Sequence, residues 1–192
     1  GLPTFGRQLQ AEAIRRAIRA GVKSIEHGQL IDEPTMKLIA EKGVWLSMQP
    51  FIGEGNNHYT NPVQQAKHEL VVQGTDRAYQ LAKKYGVKLA WGTDLLFSPA
   101  NARNQNLNIE KMTRWFSNFE ILKMITHDNA ELLALSGRRN PYPGKLGVIE
   151  EGALADLIVV DGNALEDIKV LTDPGKNMLL IMKDGKIYKN DL

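Results

Sequence analysis

The feature that most constrains this chain is an alternation of helix-period and short apolar segments through its first half. From Gln10 to Ala20 the apolar residues Ala11, Ile14, Ala17 and Ile18 recur at helical spacing, and Gly21 suits a helix stop. Val22 to His27 reads as a short strand. Asp32 before Glu33-Pro34 starts a second helix, with Met36, Ile39 and Ala40 as its buried stripe and Gly43 as its end. Val44 to Met48 is the next strand, stopped by Gln49-Pro50. After a Gly- and Asn-rich loop from Gly53 to Asn61, Pro62 opens a long helical stretch to Tyr85-Gly86, with an interruption expected at Gly74. Val87 to Trp91 is a third strand. This order predicts βα units with parallel strands, and the near-continuous apolar runs suit strands covered on both faces.

The second half reads differently. Beyond a polar loop (Ser98 to Asn108), Ser117-Asn118-Phe119-Glu120 forms a capping-box pattern ahead of Ile121, Leu122 and Ile125. Asn129 to Leu135 continues helically and Gly137 closes it. Leu157 to Val160, Met178 to Met182 and Ile187-Tyr188 then read as short strands. The last two are joined by Asp184-Gly185, a two-residue hairpin signal. The chain is therefore expected to divide into residues 1–140, βα units with following helices, and residues 141–192, a small β module.

Composition excludes several function classes. At 192 residues, 43% hydrophobic and 24% charged, the chain is of ordinary globular make-up. A net charge of +2, with Lys and Arg spread along the chain, gives no basic patch for nucleic acid. No apolar run approaches the ~18 residues of a membrane span, and no signal-peptide pattern opens the sequence; a cytoplasmic location is the expectation. The absence of cysteine rules out disulfides and thiolate sites, leaving His, Asp and Glu as strong metal donors.

Two motifs carry the chemistry: Ile25-Glu26-His27-Gly28 and Gly92-Thr93-Asp94. Each places a donor at the C-terminal end of a predicted parallel strand, the end at which a (β/α) barrel builds its active site. A barrel of ~250 residues gives ~31 to each of its eight units, and His27 and Asp94 lie about two such units apart. An imidazole and a carboxylate suit zinc or a similar divalent ion, and the carboxylate could also take a proton from water. The plainer reading is that a His after a strand is a hydrogen-bonded structural residue and that Gly-Thr-Asp is a turn. His58 lies in the loop after the second strand, where it could reach substrate or stay at the surface. His68 falls on a solvated helix face, and His127, beside Asp128, suits a hydrogen-bonding role. Trp45, Trp91 and Trp115 read as packing residues, with Trp91 near enough to a strand tip to line a pocket.

Taken as a set, Ser24-Ile25-Glu26-His27-Gly28, Leu89-Ala90-Trp91-Gly92-Thr93-Asp94 and Thr126-His127-Asp128-Asn129-Ala130-Glu131-Leu132-Leu133 resemble successive signatures of the amidohydrolase superfamily. The branch most resembled is that of the imidazolonepropionase-like proteins and Xaa-Pro dipeptidases. Gly144-Lys145-Leu146-Gly147, the run from Glu151 to Gly162 and Lys183 to Tyr188 look like the family's closing β module. The resemblance implies the C-terminal half of such a protein, a partial (β/α) barrel holding its last three strands plus the β module. It implies His27 as a metal ligand of the sixth strand and Asp94 as metal ligand and general acid/base of the eighth. Gln49, at the tip of the strand between, would face substrate; His58 and Trp91 stand beside it as substrate candidates by their own positions. The metal would be divalent, by family zinc, and the reaction hydrolysis of an amide or ester bond in a small, dipeptide-like substrate.

The departures are specific. No His-x-His pair occurs in the sequence, and residues 1–8, ahead of the sixth-strand motif, hold no His. A catalytic zinc normally takes three protein ligands, so the sequence leaves three readings open. The chain is a metal-dependent hydrolase, a truncated non-catalytic relative, or a hydrolase or esterase with metal-free chemistry in an oligomer. A half barrel also leaves an open sheet edge and uncovered apolar side chains, from which a homo-oligomer, a dimer or larger, is expected.

Overall fold

The computed structural model of the protein describes residues 2–53, 60–95 and 102–192. Helix α1, Leu2–Arg19, begins earlier than the apolar periodicity announces, Pro3 being tolerated in the first turn, where no backbone donor is needed. Its stripe of Ala11, Ile14 and Ile18 is buried. A short strand β1, Ser24–Glu26, follows. Helix α2, Glu33–Lys42, is delimited as its sequence predicts. Asp32 accepts the Thr35 backbone N–H at 2.9 Å, Pro34 sits in the first turn, and Gly43 closes the helix in the left-handed conformation.

Strand β2, Trp45–Met48, is buried along its whole length. Helix α3, Pro62–Tyr85, is capped by Asn61 and closed by left-handed Gly86. It runs unbroken through Gly74. Glycine is needed there for contact, since a Cβ would overlap the Gln29 carbonyl oxygen and lie 2.9 Å from Leu30 Cδ2. Strand β3 is Leu89–Trp91.

The three strands form one parallel sheet in the order β1-β2-β3, with Ile25 opposite Leu46 and Leu46 opposite Leu89. Met36 and Ile39 of α2, Ala78, Tyr79 and Ala82 of α3, and Leu46 and Met48 of β2 make the core of this unit. No helix among the described residues is long and apolar enough to cross a membrane.

Packing divides the chain at Gly92/Thr93 into two compact units. Helix α4, Leu107–Lys111, and the helical run α5, Asn118–Lys123, and α6, Asn129–Ala134, belong with the strands that follow. The reason is polar docking that no periodicity signals. Asn106 donates to the Leu171 carbonyl at 2.9 Å, and Asn118 to the Leu165 carbonyl at 3.0 Å. The capping box of Ser117 and Glu120 is formed, and a π-turn, Met124–Asp128, joins α5 to α6. Gly147 lies against that turn, where a Cβ would be 2.7 Å from the Thr126 carbonyl oxygen.

Strands β4, Leu157–Val160, β5, Met178–Lys183, and β6, Lys186–Asn190, make an antiparallel sheet in that order. Asp184 and Gly185 both have positive φ, 49° and 74°, as a two-residue type I′ hairpin requires. Asp156 accepts the Asp184 N–H at 2.6 Å and so ties this turn to the start of β4.

Candidate functional site

Among the described non-glycine residues, three have positive φ: His27 at 71°, Asp94 at 51° and Asp184. The turn type accounts for Asp184. The other two each leave the C-terminal end of a parallel strand, His27 directly after β1 and Asp94 three positions after β3. Left-handed backbone at an ordinary side chain costs of order 1–3 kcal/mol and persists only where its surroundings hold it.

At His27 the surroundings are visible. Its N–H donates to the Ser47 carbonyl at 2.8 Å, carrying the sheet ladder one residue beyond β1. Gly28 follows at φ 81°, buried so closely that a Cβ would stand 2.7 Å from Leu46 Cδ1 and 2.8 Å from Ile31 Cδ1. Two successive left-handed residues turn the chain sharply off the sheet. The imidazole is thereby exposed at the strand end while the chain behind it is packed.

The structure brings His27 and Gln49 together. His27 Nδ1 lies 2.9 Å from Gln49 Oε1, and Gln29 Nε2 donates to the same oxygen at 3.1 Å. Gln29 and Gln49 are only 4% and 6% exposed, so both amides are held away from water and find partners in each other. The pairing of Glu26 with Ser47 sets this geometry, because it places the residues just beyond β1 beside those just beyond β2. Gln49, expected from its position to face substrate, commits its oxygen to these two partners. Gln29 was not identifiable from sequence, since it sits in a loop with no periodic pattern.

Asp94 is exposed and Trp91 half-buried at the end of β3, in register with Met48. His58 lies outside the described residues. Of the remaining histidines, His68 is partly exposed on α3, and His127 Nδ1 lies 2.9 Å from Asp128 Oδ1, the hydrogen-bonding role its sequence context suggests.

Two charge clusters brace the elements around this loop. Arg15 reaches Asp32 at 3.1 Å, Glu12 at 3.1 Å and the Thr35 hydroxyl at 2.8 Å. Burial raises the Asp32 carboxyl, but hydrogen bonds from the Thr35 hydroxyl and N–H and from Arg15 outweigh it and hold the group below its ordinary range. Glu33 accepts from Lys84 at 2.8 Å and from the Tyr85 hydroxyl, and these bonds hold its carboxyl at about 2. Tyr79, buried in α3, has its hydroxyl pushed up by desolvation. The Arg15–Asp32 and Lys84–Glu33 pairs tie α1 to α2 and α2 to α3.

Among the described residues no group of three His, Asp or Glu side chains gathers to hold a metal ion. The donor set within them is therefore incomplete for a catalytic zinc.

The profile of the amidohydrolase family matches residues 9–188. An ochratoxinase from Aspergillus niger is 33% identical over 180 residues, covering 92% of this chain and 36% of that protein. The crystal structure of a prolidase complexed with N-methylphosphonate-L-proline superposes with a TM-score of 0.78 at 33% identity, over 94% of this chain and 43% of the other. That of a Xaa-Pro dipeptidase with bound methionine gives 0.76 at 32% identity, over 94% and 43%. The chain thus spans little more than a third of the curated relative it matches, 36%.

Proposed function

The chain belongs to the amidohydrolase family, and on that footing we propose that it takes part in hydrolysis of the amide bond, or of an equivalent ester bond, in small dipeptide-like substrates. The observation that carries this reading is the pair of left-handed residues, His27 and Asp94, each at the C-terminal end of a parallel strand. Strain at an ionisable side chain in that position is where (β/α) folds place chemistry. The likeness to a prolidase and a Xaa-Pro dipeptidase supports dipeptides ending in proline as the first substrates to try. In this reading the parallel sheet represents the last three strands of a (β/α) barrel, and the antiparallel sheet its closing module.

Asp94 is assigned the proton transfers. Its carboxylate takes a proton from the attacking water as the water oxygen bonds to the carbonyl carbon. It returns that proton to the amine nitrogen as the C–N bond breaks. His27 is assigned as a donor that this chain offers to a divalent ion, with zinc the family expectation; its ring is already bonded on one nitrogen, as metal-ligating imidazoles are. Such an ion, when bound, polarises the carbonyl and eases deprotonation of water. With three donors not gathered among the described residues, the described part of the chain does not by itself build that site, and no step is assigned to it. Trp91, at the strand end, is assigned to substrate, and so is His58, which lies outside the described residues.

That no three donors gather among the described residues favours a second reading, a non-catalytic relative that keeps the fold. Turnover of Xaa-Pro dipeptides and simple esters by the purified chain, with its metal content, separates the two. Asp94→Asn should lower kcat by about 10²–10⁴ with little change in substrate binding. Undiminished kcat in a folded Asp94→Asn protein would remove Asp94 from the mechanism.

A further inference from the structure

We propose that Gln49, itself held by Gln29, is a positioning residue for His27: it fixes the imidazole in the tautomer protonated at Nδ1, so that Nε2 carries the lone pair. Three observations converge on this. Gln29 Nε2 already donates to Gln49 Oε1, so the atom facing the ring is an acceptor and Nδ1, at 2.9 Å, must be the donor. Neither amide can turn to water, both being more than nine-tenths buried. Turning Gln49 alone would set its amide hydrogens against those of Gln29, donor against donor.

The support behind Gln29 is also rigid. The Gln29 carbonyl is in contact with α3 at Gly74, and Arg77 of the same helix donates to the Ile31 carbonyl at 3.0 Å. On the other side Gln49 runs into Pro50, also buried, which restricts the backbone before it. The relay Gln29–Gln49–His27 therefore transmits a fixed orientation from α3 and β2 to an exposed ring at the strand end. A neutral imidazole whose second nitrogen is thus held is prepared to act through Nε2, whether toward a metal ion or toward a substrate proton. The consequence for turnover rests on the hydrolase reading above; the tautomer does not.

The experiment is a long-range ¹H–¹⁵N spectrum of the histidine rings in the ¹⁵N-labelled full chain at about pH 9, above the ordinary imidazole range near 6.5. His27→Asn identifies the signals. In the wild type, Nδ1 should appear as the protonated, pyrrole-type nitrogen and Nε2 as pyridine-type. Gln49→Glu, which can accept but not donate, should preserve that pattern. Gln49→Leu should collapse it to averaged shifts on both nitrogens. Gln29→Glu removes the donor and should drive the ring toward Nε2–H by turning the Gln49 amide, which keeps the test alive if Gln49→Leu fails to fold.

An Nε2–H ring in the wild type, or an Nδ1–H ring unchanged in Gln49→Leu or Gln29→Glu, would overturn the proposal. With an Xaa-Pro dipeptide as substrate, Gln49→Leu should lose about 10- to 100-fold in kcat, the usual scale for such supporting bonds, and Gln49→Glu should recover most of it. Failure of every form to hydrolyse any substrate would refute the hydrolase reading, while the ring spectrum would still decide the positioning role.

Discussion

Gly74→Ala probes the contact on which the loop after β1 depends. In an exposed helix the change would help, since Ala is about 1 kcal/mol better than Gly in a helix interior. Here the new Cβ overlaps the Gln29 carbonyl oxygen and stands 3.0 Å from the Gln29 carbonyl carbon and 2.9 Å from Leu30 Cδ2. Leu30 can adjust its rotamer. The Gln29 carbonyl is backbone, confined between α3 and the turn at Gly28, and can yield only if the loop shifts. Overpacking costs ~1–3 kcal/mol, and a backbone obstacle places this site at the upper end. Setting about 3 kcal/mol against the helix gain of about 1 leaves a net loss of ~2 kcal/mol, or roughly 4–8 °C in Tm for a chain of this size. Urea denaturation followed by the fluorescence of buried Trp45 and by far-ultraviolet circular dichroism measures it. Because the displaced residue is Gln29, the His27 ring signals should shift as well. A Gly74→Ala protein as stable as the wild type, or more so, would refute the claim that α3 and the loop touch at this point.

Two further outcomes follow from the charge and apolar surface. The Glu33 carboxyl sits at about 2 in the folded chain against an ordinary 4.5, so its bonds to Lys84 and Tyr85 stabilise the fold fully above about pH 4.5 and progressively less as pH falls toward 2. Glu33→Gln should flatten the fall of unfolding free energy across that window in denaturation at stepped pH; an identical slope would exclude the pair as a contributor. We also expect self-association, because Phe119, Leu135, Ile149 and Tyr188 are large apolar side chains left exposed. Light scattering at micromolar concentration should report a dimer or larger, and a stable monomer would contradict this.

The elements legible in the sequence were those whose ends are fixed by short-range chemistry. Asp32 and Gly43 delimit α2, Asn61-Pro62 and Gly86 delimit α3, Ser117 and Glu120 open α5, and Asp184-Gly185 turns the hairpin. Each of these acts within four residues of its own position, so the sequence displays it directly. The parallel sheet was legible for a related reason, since short, largely apolar segments alternating with amphipathic helices suit strands covered on both faces. The contacts that defeated local reading are long-range and polar or steric. Gly74 looked like a helix break because its partner, the Gln29 carbonyl, is remote in sequence. The π-turn at Met124–Asp128 hides within one run of helical pattern, its extra residue too short a perturbation to alter the apolar period. Gln29 carried no signal at all; only the register of β1 on β2 brings it to Gln49.

The site follows the same division. His27 and Asp94 were legible as residue types at strand ends, but their left-handed backbone conformation was not. Asp184 shows what left-handed backbone looks like when the turn alone demands it: an Asp-Gly pair, two strands, and a cap from Asp156. His27 has none of these. It is followed by a glycine locked under Leu46 and Ile31, and by a loop fixed to α3 through Gly74 and Arg77 and to α1 through Asp32 and Arg15. A glycine at position 27 would meet every one of these packing demands with less strain, since φ 71° is open to glycine without steric cost. Packing therefore explains how the conformation is held and not why a histidine occupies it. The bond from its ring to buried Gln49 is what a glycine there would forfeit, and it gives the histidine a role in the loop that backbone packing alone does not require.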